Sequence, residues 1–259
     1  MKRRTVLITR PRDQSEELRR ELEACGFQVL FFPTIQIAPP LSWDACDRAL
    51  ARPPAYYHGV IFASVNGVKG FLQRMRERGD NPARLSLSSI YAVGSKTADE
   101  LKGGGLAVAF VPEQYNAEAL ARHLTATDIR NKRFLFPRGN LGGDDLIRAL
   151  GDAGAEVEVV EVYQSVAADM TGSESLVRRI FQGEIDVVTF ASPSTVMNFA
   201  RAVPGGGLAE LSAHTTIVAI GPSTLKTVRR LGGTGGLVAD VATARGMADA
   251  ITQYFGDHQ

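Results

Sequence analysis

The sequence has 259 residues, of which 44% are apolar and 22% charged, and its formal net charge is +1. This is the composition of an ordinary globular protein, and it is long enough for one large domain or two small ones. The charge balance gives no indication of binding to nucleic acid or to a membrane surface. No apolar run approaches the roughly 18 residues of a membrane span, and the run after the basic N-terminus is too short for a signal peptide. Cys25 and Cys46 match no disulfide or metal pattern. We therefore expect a cytoplasmic protein.

Short β-branched runs alternate with amphipathic helical patterns from the N-terminus onward. The first run, TVLIT at 5–9, precedes a helical pattern in which Leu18, Leu22 and Cys25 share one face. We expect Asp13 to cap this helix at its start and Gly26 to end it. The next run, FQVLFFPTIQI, is extended and broken by proline. Further strands are predicted at 59–63, 89–94, 106–110, 133–137, 156–163, 185–191, 215–221 and 237–240. This alternation favours parallel sheets with helices on both faces.

The sequence also repeats itself at a nearly constant offset. Residues 6–32 align with 134–160, so that Arg10 and Arg138 are 128 residues apart. Residues 62–71 align with 190–199, and 91–101 align with 218–228. Residues 116–124 resemble 243–251. The period is too long for a solenoid and predicts two similar α/β units of about five strands each, a flavodoxin-like size.

Hydroxyl and small residues follow most of the predicted strands, at the edge where open α/β sheets bind ligands. Each such junction opens a helix, whose free N–H groups and positive dipole end attract anions. Taken singly, a Ser or Thr there is more readily explained as a helix cap. Taken as a set that is duplicated in both units, the junctions favour anion binding. The strongest examples are SVNG at 64–67, GSKT at 94–97, SPS at 192–194 and GPST at 221–224.

Three further side chains are candidates for the same edge. Arg10 and Arg138 follow equivalent strands, where each is either a solvated surface arginine or a bidentate partner for a carboxylate. Tyr163 ends an extended segment and is either a structural tyrosine or a phenol available to a ligand.

Several common chemistries are disfavoured by the sequence. The Gly-rich segments at 102–107 and 231–237 run from helix to strand, the wrong order for a phosphate loop, and turns explain them better. The segment 137–146 has the right order but lacks the Lys-Ser/Thr pair. The four histidines have no spacing that suits a metal, and no G-x-S-x-G elbow is present. We therefore expect no metal site, and the sequence gives only weak evidence for a nucleotide site.

The order and spacing of several segments resemble those of the uroporphyrinogen-III synthase family over essentially the whole chain. They are VLITRP, FFPTIQI, IFASVNGV, YAVGSKTA, PEQYNAEAL, FLFPRG, GAEVEVVEVYQS, DVVTFASPSTVMNF and VAIGPSTLKTV. Each segment is a weak motif alone, whereas together they are specific.

The resemblance implies a fold of two flavodoxin-like (Rossmann-type) parallel-sheet lobes joined by a two-stranded β-ladder. Residues 1–35 and 167–259 would form lobe one and residues 38–164 lobe two, with connectors at 31–40 and 159–169. The repeats in the sequence would then differ from the domains in space, and a cut near residue 130 would group the wrong strands.

The resemblance also implies a reaction that needs no cofactor. The family cyclises hydroxymethylbilane, a linear tetrapyrrole with eight carboxylates, to uroporphyrinogen III. Loss of a hydroxyl gives an azafulvene, and a spiro intermediate leads to inversion of ring D. The resemblance further implies a monomer, which receives its substrate from the preceding enzyme of the pathway, in transient contact or without it.

Residue roles follow from the same resemblance. Tyr163 would assist departure of the hydroxyl, and Thr97 and Thr224 would bind carboxylates or assist proton transfer. The expected substrate-binding residues are Arg10, Ser64, Val65, Asn66, Gly94, Arg138, Ser192, Ser194 and Gly221. The strand-end residues Ala63 and Ala191 stand where many members have threonine, so neither is expected to be a side-chain ligand.

Two other classes of protein remain open at this stage. A non-catalytic, two-lobed anion-binding or sensor module would show the same fold features. A nucleotide-dependent α/β enzyme is disfavoured by the missing phosphate loop.

Overall fold

The computed structural model describes residues 3–53, 55–169, 171–203 and 207–256. Within these ranges the chain forms two five-stranded sheets. The strands are β1 Thr5–Ile8, β2 Gln28–Phe31, β3 Ile35–Ala38, β4 Gly59–Phe62, β5 Ser89–Ala92, β6 Arg133–Gly139, β7 Glu156–Ala167, β8 Val187–Phe190, β9 Thr216–Ala219 and β10 Leu237–Val238.

The helices lie between most of the strands, as the alternating pattern predicts. They are α1 Glu16–Ala24, α2 Asp44–Leu50, α3 Val65–Glu77, α4 Ser95–Gly103, α5 Ala117–Thr125, α6 Asp145–Asp152, α7 Glu174–Phe181, α8 Pro193–Ala202, α9 Gly207–His214, α10 Pro222–Arg230 and α11 Ala244–Gly256. None of the helices in the described ranges combines the length and the apolar composition needed to cross a bilayer.

The chain divides by contact density into two compact units. Unit two is Ile37–Ser165, and unit one comprises the residues up to Gln36 and those from Val166 onward. Sheet one has the order β10-β9-β8-β1-β2 and belongs to unit one. Its strand pairs β1–β2, β1–β8, β8–β9 and β9–β10 are all parallel. Numbered along this unit, the order is 2-1-3-4-5, which is the flavodoxin-like order.

Sheet two has the order β3-β7-β6-β4-β5, with β3 and β7 as neighbours at one edge. These two strands lie within or overlap the connectors predicted from the sequence. The pairs β4–β5, β4–β6 and β6–β7 are parallel. A strand predicted at 106–110 was wrong: in that segment only Phe110 pairs, through an isolated bridge to Tyr91.

The sequence repeat is visible in the strand orders. Strands β1 and β2 are repeated as β6 and β7, and strands β4 and β5 as β8 and β9. Sheet one contains the run β2-β1-β8-β9, and sheet two contains the equivalent run β7-β6-β4-β5. Each sheet therefore takes two of these strands from each sequence repeat.

Helices pack on both faces of each sheet. The strands are therefore buried on both sides, which explains their continuous apolar sequences. Alternate residues of β4 face opposite sides. Val60 and Phe62 join a core with α2, α3 and α4, and Ile61 joins a core with α5 and α6. In sheet one, Leu7 packs into the core under α8 and α10, and Val6 packs into the core under α1 and α11.

Most of the predicted helix ends are observed, but the N-cap of α1 differs from the prediction. Asp13 was expected to cap α1, but it lies in a short 3-10 turn, Arg12–Gln14, and Ser15 occupies the cap position. Gly26 ends this helix with φ of +87° as expected. The glycine-rich segments at 102–107 and 231–237 lie at the C-terminal ends of helices. Gly104 follows α4, and Gly232 follows α10 with φ of +91°.

Candidate functional site

Most of the predicted site residues lie where buried parallel strands end and helices begin. Arg138 lies within β6, and Tyr163, which was expected to end its extended segment, lies within β7, which continues to Ala167. Ser64 and Gly94 are the N-cap residues of α3 and α4 in unit two, and Ser192 and Gly221 are those of α8 and α10 in unit one. All four have extended backbone angles, as helix N-caps usually do. The first turns of these helices contain five further predicted residues, Val65, Asn66, Thr97, Ser194 and Thr224.

Ser64 makes two contacts through its hydroxyl oxygen. The Oγ atom accepts a hydrogen bond of 3.0 Å from the backbone N–H of Gly67 and so caps α3. The same atom lies 3.2 Å from the phenolic oxygen of Tyr163, close enough for a hydrogen bond in which either group can donate. A strand-end serine and a tyrosine 99 residues later in the chain are therefore direct partners.

An irregularity in β6–β7 pairing brings Tyr163 to this position. Arg138 pairs with Glu161, whereas the next residue, Gly139, pairs with Tyr163, so that the register shifts between them. A side chain at position 139 would collide with the tyrosine: a Cβ atom there would lie 2.4 Å from Cζ and 2.9 Å from the phenolic oxygen. The absence of a side chain at Gly139 is thus what leaves room for the ring.

Ser64 and Tyr163 line an open cavity of about 290 Å³ within unit two. Buried Phe136 and Leu146 contribute to its walls, and Leu141, 66% exposed, lies at its rim. Arg138 lines the same space. The structure therefore brings three of the predicted residues, Ser64, Arg138 and Tyr163, to one cavity.

Arg138 is engaged by the loop that follows its own strand. Its Nη1 atom donates to the carbonyl oxygens of Gly142 and Gly143 at 3.2 and 2.9 Å, and it pairs with Asp144 at 2.8 Å. The guanidinium group thereby holds the loop in the wall of the cavity. In this conformation the charge of Arg138 is partly neutralised by Asp144.

Asn140 is a residue of this site that the sequence reasoning missed. Its Oδ1 atom accepts a hydrogen bond of 3.0 Å from the backbone N–H of Ser165, two residues after Tyr163. The contact ties the end of β6 to β7 beside the tyrosine. The only indication in the sequence was a polar side chain in a glycine-rich loop after a strand, which is common in turns.

Thr97 and Thr224 occupy equivalent places, each the third residue of its helix. They are 5% and 1% exposed. Other buried threonines, such as Thr9 and Thr215, donate to backbone carbonyls. Within the described residues neither Thr97 nor Thr224 has a side-chain hydrogen bond, although no fully enclosed polar atom lacks a partner. Their hydroxyls therefore keep their hydrogen-bonding capacity for a group that arrives from solvent.

The start of α8 in unit one is a hydroxyl cluster. Ser192 and Thr195 form a capping box, in which the Thr195 N–H donates to Ser192 Oγ and the Ser192 N–H donates to Thr195 Oγ1. The Oγ atoms of Ser192 and Ser194 are 2.9 Å apart. Arg10, after β1, donates from Nε to Gln14. Capping explains Ser192, while the hydroxyl of Ser194 is additional to what capping requires.

Some predicted residues are not brought together by these contacts. Gly94 and Thr97 are absent from the described lining of the 290 Å³ cavity, although they belong to the same unit. In the part of the chain that the structure describes, no group of three His, Cys, Asp or Glu side chains is placed to bind a metal.

The chain matches a known protein family over a range that includes nearly all of the predicted site residues. The sequence profile of the family described as uroporphyrinogen-III synthase HemD matches residues 16–249. The chain is 31% identical to uroporphyrinogen-III synthase of Synechococcus elongatus, with 97% of this chain and 95% of the relative covered. It is 28% identical to the synthase of Chlorobaculum parvum, with 96% and 98% covered.

Solved structures show the same fold at lower identity. A mutant uroporphyrinogen III synthase from the extremely thermophilic bacterium Thermus thermophilus superposes with a TM-score of 0.65 at 19% identity, covering 98% of this chain and 99% of that one. Uroporphyrinogen-III synthetase from Helicobacter pylori gives a TM-score of 0.64 at 15% identity, covering 97% and 99%. These similarities cover at least 97% of this chain and therefore include both units.

Proposed function

The chain belongs to the uroporphyrinogen-III synthase family, and we propose that it cyclises hydroxymethylbilane to uroporphyrinogen III with inversion of ring D. It is an enzyme of the lyase class that acts in tetrapyrrole biosynthesis. The observation that carries this function is the family match, which spans residues 16–249 and includes every predicted site residue except Arg10.

The chemistry of this substrate suits a site without a strong catalytic dyad. Loss of the hydroxyl gives an electrophilic azafulvene, which the substituted carbon of ring D attacks to form a spiro intermediate. Fragmentation and renewed closure invert ring D. Because the substrate supplies both nucleophile and electrophile, no cofactor is required, and the main tasks of the protein are to orient a flexible polyanion and to help the hydroxyl leave.

Tyr163 is the proposed proton donor to the departing hydroxyl, directly or through a water. It lines the 290 Å³ cavity with Ser64, and its phenol has no other side-chain partner among the described residues. Proton donation in the transition state to a poor leaving group is the ordinary task of a general acid.

The helix starts are the proposed carboxylate sites. Backbone N–H groups at the beginning of a helix bind anions without a large net charge, which agrees with a formal charge of only +1. Thr97 and Thr224 add hydroxyls that no described residue engages, and the groups around Ser64, Val65, Asn66, Gly94, Ser192, Ser194 and Gly221 add N–H donors or hydroxyls. Arg10 adds positive charge, as does Arg138 when a substrate carboxylate replaces Asp144.

The division of the chain into lobes forms a further part of the proposal. We take residues 1–35 with 167–259 and residues 38–164 as the two lobes, connected through 31–40 and 159–169. Two sheets, each with a core on both faces, support this division. We also propose a monomeric, cytoplasmic enzyme that receives its substrate from the preceding enzyme of the pathway.

One assay tests the function against its alternatives. The purified chain is supplied with hydroxymethylbilane, and the products are oxidised and separated into uroporphyrin isomers I and III. We expect isomer III, because spontaneous closure without inversion gives isomer I. A product that is only isomer I would overturn the synthase assignment and leave the anion-binding module as the better interpretation.

A further inference from the structure

The hydroxyl of Ser64 lies between a helix start and the phenol of Tyr163, and its donors and acceptors can be counted. A serine hydroxyl has one proton and two lone pairs. The N–H of Gly67 occupies one lone pair at 3.0 Å. The proton of Ser64 has one acceptor within reach among the described side chains, the oxygen of Tyr163 at 3.2 Å.

Two arrangements of this hydrogen bond are consistent with the distance. Tyr163 either donates to Ser64, which leaves its own proton unavailable, or accepts from Ser64, which leaves the phenolic proton free to point into the cavity. The position of Ser64 at the start of α3 favours the second arrangement, because the positive end of the helix makes an adjacent hydroxyl a better donor and a poorer acceptor.

We infer that Ser64 is a positioning residue that turns the Tyr163 hydroxyl toward the substrate and stabilises the phenolate after proton transfer. This inference rests on the proposed function. Ser64 was expected to bind a substrate carboxylate, and the contact with Tyr163 assigns its side chain a different role.

In the proposed reaction the hydroxyl group leaves as water. The C–O bond of the hydroxymethyl group breaks, its electron pair stays with the oxygen, and the proton of Tyr163 joins that oxygen so that water leaves. The pyrrole supplies the electrons that form the exocyclic double bond of the azafulvene. The Tyr163 phenolate then accepts the hydrogen bond from Ser64. The substituted carbon of ring D that forms the spiro bond has no hydrogen to lose, so the phenolate recovers its proton after fragmentation, when the unsubstituted α-carbon of ring D closes the macrocycle and loses its hydrogen as a proton.

Close packing on both sides restrains the positions of Ser64 and Tyr163. Gly139 leaves space for the ring of Tyr163, and a Cβ at Gly67 would lie 3.1 Å from the carbonyl oxygen of Pro137 and 3.2 Å from Ser64 Oγ. The start of α3 is therefore packed closely against the end of β6. Such close packing holds the serine oxygen at a fixed distance from the phenol.

The test is a double-mutant cycle on the full-length enzyme with hydroxymethylbilane as substrate. We expect Ser64→Ala to lower kcat about tenfold with KM changed less than about twofold, since one directed hydrogen bond is lost. Ser64→Thr, which keeps the hydroxyl and the cap, should retain most of kcat. In the Tyr163→Phe background, Ser64→Ala should cause no further loss, because residues that act as a unit are not additive.

Controls separate this role from helix capping and from the assignment of function. Ser64→Gly removes the hydroxyl but keeps an accepted cap residue, so it should lose kcat while the protein stays folded. Asn81→Ala removes a cap hydrogen bond from the N–H of Ala83 to Asn81, before β5, and should leave kcat unchanged. Additive losses, an effect on KM alone, or full kcat in Ser64→Gly would overturn the inference while wild type still makes isomer III. Wild type that makes isomer I alone would instead overturn the proposed function, and this inference with it.

Discussion

At the scale of the residue, the pair formed by Ser64 and Tyr163 depends on a position with no side chain. Gly139 lies opposite Tyr163 at a register shift, and its missing Cβ leaves the space that the phenol ring occupies. The sequence indicates both Tyr163 and Ser64 as candidate site residues. It did not predict that the two touch, because their contact depends on which residues of β6 and β7 face each other.

Removing the phenolic hydroxyl tests the role of Tyr163. We expect Tyr163→Phe to lower kcat severalfold or more while the melting temperature stays close to that of wild type, since a phenylalanine fills the same space. Steady-state rates and thermal unfolding by circular dichroism measure the two quantities. Wild-type turnover in a folded variant would remove Tyr163 from the mechanism.

Adding one methyl group at position 139 tests whether activity depends on the space that Gly139 leaves for the ring of Tyr163. A Cβ there would lie 2.4 Å from Tyr163 Cζ, so Gly139→Ala must displace the ring and should lower kcat about tenfold or more. Gly151→Ala is the matched control: it adds the same group in α6, where nothing lies within 4 Å, and should keep activity. Equal rates for both variants would show that the position of the ring is unimportant.

At the scale of the element, helix α3 begins at the candidate site, where Ser64 is its N-cap, and the helix packs very close to β7. Its Gly70 has no side chain, and a Cβ there would lie 2.4 Å from the carbonyl oxygen of Val162. The face of α3 that packs on the sheet includes Val68, Phe71, Leu72 and Met75, all buried. This packing positions Ser64 at the carboxyl end of β4.

Gly70→Ala should therefore destabilise the protein although alanine favours helices. We expect the free energy of unfolding to fall by about 1–3 kcal/mol, the usual cost of overpacking. Gly103→Ala, in the last turn of α4 with nothing within 4 Å, serves as control and should be neutral or stabilising. Urea denaturation compares the two, and a more stable Gly70→Ala variant would contradict the close approach.

An ion pair between α2 and α3 gives unit two a pH-dependent component of stability. Arg74 donates from Nε and Nη2 to the Asp47 carboxylate at 2.8 and 2.5 Å, and Arg78 lies 3.4 Å from it. The hydrogen bonds from Arg74 lower the pKa of Asp47 from its ordinary value. Because the native pKa is lower than the unfolded one, this contribution is present above about pH 4 and is lost as pH falls through the native value.

Asp47→Asn should therefore be less stable than wild type at neutral pH by a margin that shrinks on acidification. Unfolding in urea between about pH 7 and about pH 3 measures that margin. The Asp99→Asn variant is a suitable comparison, since Asp99 lies 3.8 Å from Lys102 of its own helix, with both side chains mostly exposed; its margin should be small at every pH. A margin for Asp47→Asn that does not change with pH would contradict the assignment.

At the scale of the whole molecule, the sequence repeats and the sheets are different divisions of the same chain. Sheet one contains β1, β2, β8, β9 and β10, and sheet two contains β3 to β7. Residues 1–130 therefore include β1 to β5, which is a part of each sheet and the whole of neither. A cut at the repeat boundary would expose the unpaired edges of two incomplete sheets.

Fragments of the chain test this organisation. We expect residues 35–167, which hold all of sheet two and its two cores, to unfold cooperatively in urea. Residues 1–130 should show no cooperative transition. Far-UV circular dichroism and the slope of the urea transition distinguish these outcomes, and cooperative folding of residues 1–130 would refute the proposed lobes.

The sequence by itself determined what depends on neighbouring residues. It predicted most strands and the alternation with helices, the glycine-terminated helix ends, the hydroxyl-rich helix starts and the duplication. It failed at residues 106–110, which have strand composition but pair only at Phe110, because pairing requires a partner of matching length and position.

The tertiary structure decided what depends on residues far apart in the chain. It set which strands of each repeat share a sheet, the register shift at Gly139, the contact of Ser64 with Tyr163 and the engagement of Arg138 by its own loop. The physical reason is the range of the interactions. Caps and turns are satisfied by hydrogen bonds within a few residues, whereas strand order and register follow from burial of apolar faces that only the folded chain brings together.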